Sequence, residues 1–132
     1  MVGIVLISHS YELAQGLLYM TQQVVHDRIE IAAAGGVDEY TVGTNAERIY
    51  AAIEQVYSAD GVLILYDLGS ALLSTQLALE MAPLEWQQNI LVSTAPFVEG
   101  AIIAAVEASL ERSLGAVNAA AEAALDNKKG SL

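Results

Sequence analysis

Val2 to Ile7 is an unbroken apolar run, rich in β-branched residues, that stops abruptly at Ser8-His9-Ser10, and a helical pattern starts at once with Tyr11-Glu12-Leu13-Ala14. A run without polar alternation suits a strand buried on both faces, and such strands belong to parallel sheets covered by helices. His9 therefore stands where a strand hands over to a helix. In an open α/β sheet that is the carboxyl edge, where ligands bind. Histidine is also a nucleophile that can carry a group covalently near neutral pH. The placement points to His9 as a phosphoryl carrier.

The strand-then-helix pattern recurs along the chain. The spacing predicts a helix over 11–25, with Ser10 as its N-cap and Leu13, Leu17, Met20 and Val24 at helical spacing. A second strand is expected over 29–34, ending in alanines. A loop of about ten residues, Gly35 to Thr44, exceeds the usual strand-to-helix connection and so is read as functional or mobile. Thr44-Asn45-Ala46-Glu47 reads as a capping box opening a helix to about Tyr57, with Ile49, Ala52, Ile53 and Val56 on one face. Val62 to Tyr66 is the third strand, followed by Asp67-Leu68-Gly69-Ser70 and a helix to about Met81. Asn89 to Ser93 is the fourth, followed by helices over 97–110 and 113–126. This alternation predicts an α/β fold: a flavodoxin-like open parallel sheet of order 2-1-3-4 with helices on both faces. Its crevice then lies between the ends of strands 1 and 3, which carry His9 and Asp67. One domain is expected over 1–127. Residues 128–132 are set aside as a C-terminal tail, a possible cloning remnant.

Composition narrows the chemistry. Hydrophobic residues make up 55% of the chain, much of it alanine, yet no run approaches the roughly 20 residues a membrane span needs. No signal peptide is read at the N-terminus. The absence of cysteine removes disulfides and thiolate chemistry and agrees with a cytoplasmic location. Sixteen acidic residues against five basic ones give a net charge of −11, which disfavours nucleic acid and anionic membranes as partners. A phosphate handled by such a chain is expected to rest on backbone N–H groups and helix N-termini rather than on an arginine or lysine cradle.

A carboxylate from Asp67 on one imidazole nitrogen would fix the tautomer of His9 and leave the other nitrogen's lone pair free. It would also stabilise the cation formed on phosphorylation. If Asp67 holds Nδ1, Nε2 is the acceptor. Gly69 and Ser70 open a helix, where N–H groups and a hydroxyl can bind phosphate oxygens. Ser8 and Ser10, or the loop Gly35 to Thr44, are expected to complete the cage. Gly35-Gly36 reads as a turn, His26 as a solvated helix end, and Arg28, Arg48 and Arg112 as surface residues away from the strand ends. Two histidines without cysteine make no metal site, and no metal or cofactor is expected on this chain. Leu68, Leu72 and Leu73 are either core residues of a helix or a docking surface beside His9, and Trp86 and the tyrosines read as packing or interface residues.

The segments GIVLISHS, GGVDEYTVGT, LYDLGSALLS and APFVEGA together resemble the DhaM family, over about residues 2 to 125. These are phosphocarrier subunits of phosphotransferase-system-dependent dihydroxyacetone kinases, within the broader EIIA group of mannose-type sugar transporters. The resemblance implies that His9 is the phosphorylated histidine, that Asp67 is its paired carboxylate, and that Gly69 and Ser70 lie in the adjacent loop. It implies phospho-HPr as donor and, as acceptor, ADP held on a DhaL subunit that in turn phosphorylates dihydroxyacetone on DhaK. It implies a homodimer and, at this length, a single-domain form served by separate HPr and Enzyme I.

Two other readings stand beside this one. An EIIA domain feeding a mannose-type sugar transporter would carry an aromatic, glycine-rich loop after the strand-3 aspartate, where this chain has Leu68-Gly69-Ser70. A non-catalytic module sensing a small anion would use His9 as ligand and form no covalent phosphate. A receiver-like domain phosphorylated on Asp67 lacks the acidic cluster required after strand 1, where His9 stands.

Overall fold

The computed structural model describes residues 1–126. The element order is β1 (Gly3–Ser8), α1 (Tyr11–Val25), β2 (Ile31–Gly35), α2 (Ala46–Val56), β3 (Val62–Tyr66), α3 (Leu72–Met81), α4 (Leu84–Gln87), β4 (Ile90–Val92), α5 (Phe97–Ser109) and α6 (Leu114–Glu122). A 3₁₀ turn, Gly69–Ala71, leads into α3, and another, Ala123–Asp126, follows α6. The four strands are parallel in the order β2-β1-β3-β4, as the alternating pattern requires. The expected tail lies outside the described residues.

β1 is central and all six of its residues are buried. Its side chains alternate between two cores. Ile4 and Leu6 join Leu17 and Val25 of α1, the alanines Ala101, Ala104, Ala105 and Ala108 of α5, and Val117 of α6. Val5 and Ile7 point the other way, into Ile49, Ala52, Ile53 and Val56 of α2 and Ala78 of α3. The many alanines are thus used where α5 and α6 lie close on the sheet, and in β2, where Ala32 and Ala34 sit under α2.

Several boundaries differ from the sequence reading for local reasons. β2 begins at Ile31 rather than at residue 29, because α1 ends in two consecutive left-handed residues, His26 (φ 53°) and Asp27 (φ 56°), and the chain then needs a few residues to enter the sheet. α1 buries Ala14, Leu17, Thr21 and Val25, whereas Leu13, Met20 and Val24 stay exposed. Thr21 can take the buried stripe because its hydroxyl donates to the carbonyls of Leu17 (3.0 Å) and Leu18 (2.9 Å). The cap of α2 is Asn45, whose side chain accepts from the N–H groups of Glu47 (2.8 Å) and Arg48 (3.3 Å). Thr44 turns instead to Ser74, Oγ1 to Oγ 2.8 Å. The short helix α4, opened by Pro83, was not legible as helix. Its Trp86 stacks on Tyr57, with ring centroids 4.2 Å apart.

Gly35 is a close approach between β2 and the start of α1. A Cβ there would meet Ala14 Cβ at 2.7 Å, the Ser10 carbonyl at 2.7 Å and Tyr11 Cα at 2.8 Å. Two of these atoms are backbone and cannot step aside. Gly35→Ala is expected to cost about 3 kcal/mol and lower the melting temperature by about 10 °C, which a thermal denaturation curve measures.

Candidate functional site

The site lies at the carboxyl edge, between the ends of β1 and β3. The Asp67 N–H donates to the Ile7 carbonyl (3.1 Å), which carries the β1–β3 pairing one residue past the strands and sets Asp67 beside His9. His9 Nδ1 is 2.8 Å from Asp67 Oδ1. The other carboxylate oxygen accepts the His9 backbone N–H at 3.0 Å and the Ser8 hydroxyl at 2.8 Å. Leu68 N–H donates to Oδ1 at 2.7 Å. Asp67 is therefore a multiply held acceptor and not the helix cap that an aspartate before a helix often is. Burial pushes its carboxyl up, but the hydrogen bonds from the His9 N–H, the His9 ring, the Ser8 hydroxyl and the Leu68 N–H outweigh that and hold it below the ordinary carboxylate range. An ionised carboxylate at Nδ1 keeps a proton on Nδ1 and leaves the lone pair on Nε2.

Nε2 faces the other way, 2.8 Å from Ser70 Oγ. Gly69 and Ser70 are exposed and open the helical segment, so their N–H groups have no carbonyl one turn back to bond. A Cβ at Gly69 would meet nothing within 4 Å, so the space over this turn is open. Ser10, next in the chain after His9, caps α1, its Oγ accepting from the Leu13 N–H at 3.1 Å, which leaves its hydroxyl hydrogen available. The structure thus brings His9, Asp67, Ser10, Gly69 and Ser70 to one edge. Ser8, expected in the phosphate cage, is instead fully buried, where it donates to Asp67 and accepts the Ser10 N–H at 3.0 Å. The signal for Ser8 was a serine closing an otherwise apolar buried strand.

The long loop after β2 is tied down. Gly36 N–H bonds the Ser8 carbonyl (3.0 Å), Gly43 N–H bonds the His9 carbonyl (2.9 Å), and Val37 N–H bonds Thr41 (2.9 Å). Gly36 (φ 73°) makes the turn that a residue with a side chain would strain. The loop is thus a wall of the site that holds His9 by its backbone. The reading of Arg48 as a surface residue is corrected. Arg48 is half-buried, and its Nη2 donates to the Gly35 carbonyl at 3.1 Å, at the end of β2. Leu68, Leu72 and Leu73 are exposed by 58%, 44% and 70%, so they are surface beside His9 and not core.

A family model for EIIA-man, described as the PTS system fructose IIA component, matches residues 3–118. The chain belongs to the EIIA-man family. Within that family it is similar to the DhaM subunits. It is 38% identical over 135 residues to the phosphoryl donor subunit DhaM of the PEP-dependent dihydroxyacetone kinase of Escherichia coli K12, covering 100% of this chain and 29% of that protein. It is 37% identical over 117 residues to a DhaM phosphoryl donor subunit of Listeria innocua, covering 89% of this chain and 94% of that one. This EIIA-man chain therefore spans less than a third of the E. coli relative and nearly all of the Listeria one. Among solved structures, the unknown-function protein EF1359 superimposes with a TM-score of 0.80 at 31% identity, covering 100% of both chains. A protein from Enterococcus faecalis described as a sigma-54 interaction domain protein shares the fold, with a TM-score of 0.64 at 17% identity, over 95% of this chain and 90% of that one.

Proposed function

We propose that this chain is a phosphohistidine carrier that takes a phosphoryl group from phospho-HPr on Nε2 of His9 and delivers it to ADP held on a DhaL subunit, for the phosphorylation of dihydroxyacetone bound to DhaK. The observation that carries this is the His9 ring itself, anchored at Nδ1 by an ionised Asp67 and open at Nε2 toward Ser70 and the free N–H groups of the following turn. The similarity to DhaM phosphoryl donor subunits favours the dihydroxyacetone pathway over a sugar transporter.

In the forward step the Nε2 lone pair forms the N–P bond while the donor's N–P bond breaks, and the donor nitrogen keeps the electron pair. The ring, protonated at Nδ1, becomes cationic, and Asp67 stabilises it. The Ser70 hydroxyl leaves Nε2 and donates to a phosphoryl oxygen, joined by the N–H groups of Gly69 and Ser70 and the hydroxyl of Ser10. In the second step the N–P bond breaks and a terminal oxygen of ADP takes the phosphorus, giving ATP on the partner. Positioning and charge stabilisation are what such a transfer asks of a protein. No cofactor resides on this subunit, since the nucleotide belongs to DhaL. The carrier is cytoplasmic and homodimeric, with Leu68, Leu72 and Leu73 as a non-directional docking surface for its exchange partners. No helix among the described residues is long and apolar enough to cross a membrane.

The test is incubation with phosphoenolpyruvate, Enzyme I and HPr, followed by intact-mass measurement at alkaline pH. One acid-labile phosphoryl group is expected, and it should chase onto ADP-loaded DhaL. Uptake without chase would favour the sugar-transporter reading. No uptake with active HPr would leave an anion-sensing module.

A further inference from the structure

The chain is strongly acidic, and its few cations are unevenly placed. Among the described residues, Arg28 lies in the link from α1 into β2, at the amino edge of the sheet. Arg112 lies in the link between α5 and α6 and pairs with Glu107 at 3.5 Å. With Met1 and Asp60 it lines a cavity of about 670 Å³ at that same amino edge. Arg48 is the one arginine or lysine among the described residues at the carboxyl edge. It gets there because α2 begins where β2 and its loop end, so the first turn of α2 is set back over the strand ends.

Two contacts fix its guanidinium. Nη2 donates to the Gly35 carbonyl at 3.1 Å, and Cζ lies 5.9 Å from the centroid of the Tyr11 ring, within cation–π range. Gly35 is the register partner of Ser8, the residue before His9, and it packs directly on the Ser10 carbonyl and Tyr11. The charge is thus held at the end of β2, the strand paired with the one that leads into His9. It has no ion-pair partner among the described residues. Its Nε is buried with no hydrogen-bond partner, and among the described residues no carboxylate comes within ion-pair distance of it. A half-buried cation held by a carbonyl and a ring face, with no ion-pair partner, is one that a negative charge formed nearby stabilises further. Its field already crosses the neighbouring loop. The Tyr40 N–H and the Thr41 side chain hold Asp38 below the ordinary carboxylate range, with Arg48 adding a smaller pull in the same direction.

We infer that Arg48 supplies the fixed positive charge that stabilises the phosphorylated form of His9, acting through space rather than by clamping the phosphoryl group. The inference rests on the phosphohistidine reading above. When His9 is phosphorylated, the phosphoryl dianion and Asp67 together outweigh the charge on the ring, and Arg48 offsets part of that excess. Coulomb attraction falls only as the inverse of distance, and a partly buried charge is weakly screened, so no contact is required. Tethering the guanidinium to Gly35 and Tyr11 also prevents it from chelating the phosphoryl oxygens. The group remains free to leave, as a carrier requires.

The experiment measures the equilibrium distribution of phosphoryl between HPr and the intact chain for wild type, Arg48→Gln, Arg48→Met and Arg48→Lys. Met keeps the apolar stem over Tyr11 should Gln fail to fold. The imidazole nitrogen resonances of the unphosphorylated variants check that the His9–Asp67 pair is intact. The neutral variants are expected to shift the distribution toward phospho-HPr on the order of ten-fold, and Lys to restore most of the shift, because charge is what matters. An unchanged equilibrium in a folded neutral variant would overturn the inference and leave Arg48 as a brace for the Gly35 turn. So would a Lys variant as impaired as the neutral ones. A wild-type chain that takes up no phosphoryl group would sink the carrier reading itself, a result visible before any variant is compared.

Discussion

His9→Ala is expected to take up no phosphoryl group from phospho-HPr under conditions in which the wild-type chain takes up one, read as intact mass at alkaline pH. The loss should be complete, because no other group at this edge can replace it. His26, the other histidine, is exposed at the end of α1, in a link at the amino edge. In the variant Ser70 has lost the imidazole that lies 2.8 Å from its hydroxyl in the wild type, and Ser8 and Ser10 have no other imidazole to draw on, so none of these hydroxyls is made nucleophilic at neutral pH. The fold should survive. Asp67 keeps its bonds from Ser8, Leu68 and the residue-9 backbone N–H, so the cost is that of one side-chain hydrogen bond, about 1 kcal/mol. A folded variant that still gains an acid-labile phosphoryl group would remove His9 from the mechanism.

Asp67→Asn is expected to reduce the rate of phosphoryl uptake by about 10²–10⁴-fold, measured in rapid-quench transfer from phospho-HPr. Asparagine is nearly isosteric but cannot satisfy the site. If its NH₂ faces His9, it donates to Nδ1, the ring proton moves to Nε2, and the nucleophilic lone pair is lost. If its carbonyl faces His9 Nδ1, the NH₂ confronts the donating His9 N–H and the Ser8 hydroxyl. Stability should follow the same carboxylate. The folded-state pKa of Asp67 is lowered, so the folded protein binds that proton less readily than the unfolded chain does. Its contribution is fully present above the unfolded value, about pH 4, and is lost as pH falls through the lower folded value. The difference in melting temperature between wild type and Asp67→Asn is therefore expected to be constant near neutrality and to shrink below about pH 4. A difference that widened in acid would contradict the hydrogen-bond account of Asp67.

The apolar runs Val2–Ile7 and Val62–Tyr66, each followed by a helical period, determined the parallel sheet and its order, because a strand buried on both faces admits few other solutions. With the order came the meeting of His9 and Asp67, since in this topology the ends of β1 and β3 are neighbours whatever their side chains. The stripe of α2 was equally legible, its Ile49, Ala52, Ile53 and Val56 being all buried. α1 was not, because Leu13 and Met20 obey the same helical period as the buried set and only docking against the sheet selects which stripe faces inward. That Thr21 could be buried depended on two backbone carbonyls of its own helix. Which imidazole nitrogen is anchored, and that Ser70 meets the other, follow from how the ring is oriented between the ends of β1 and β3. Arg48 shows the same division. Its sequence context reads as surface away from the strand ends, and only the tertiary packing shows its guanidinium half-buried, without an ion-pair partner among the described residues, on the Gly35 carbonyl at the end of β2. Sequence periodicity fixes which ends of which elements gather, since that follows from burying apolar surface. The pairing of polar atoms within the gathering is decided by close packing in three dimensions, which no one-dimensional period encodes.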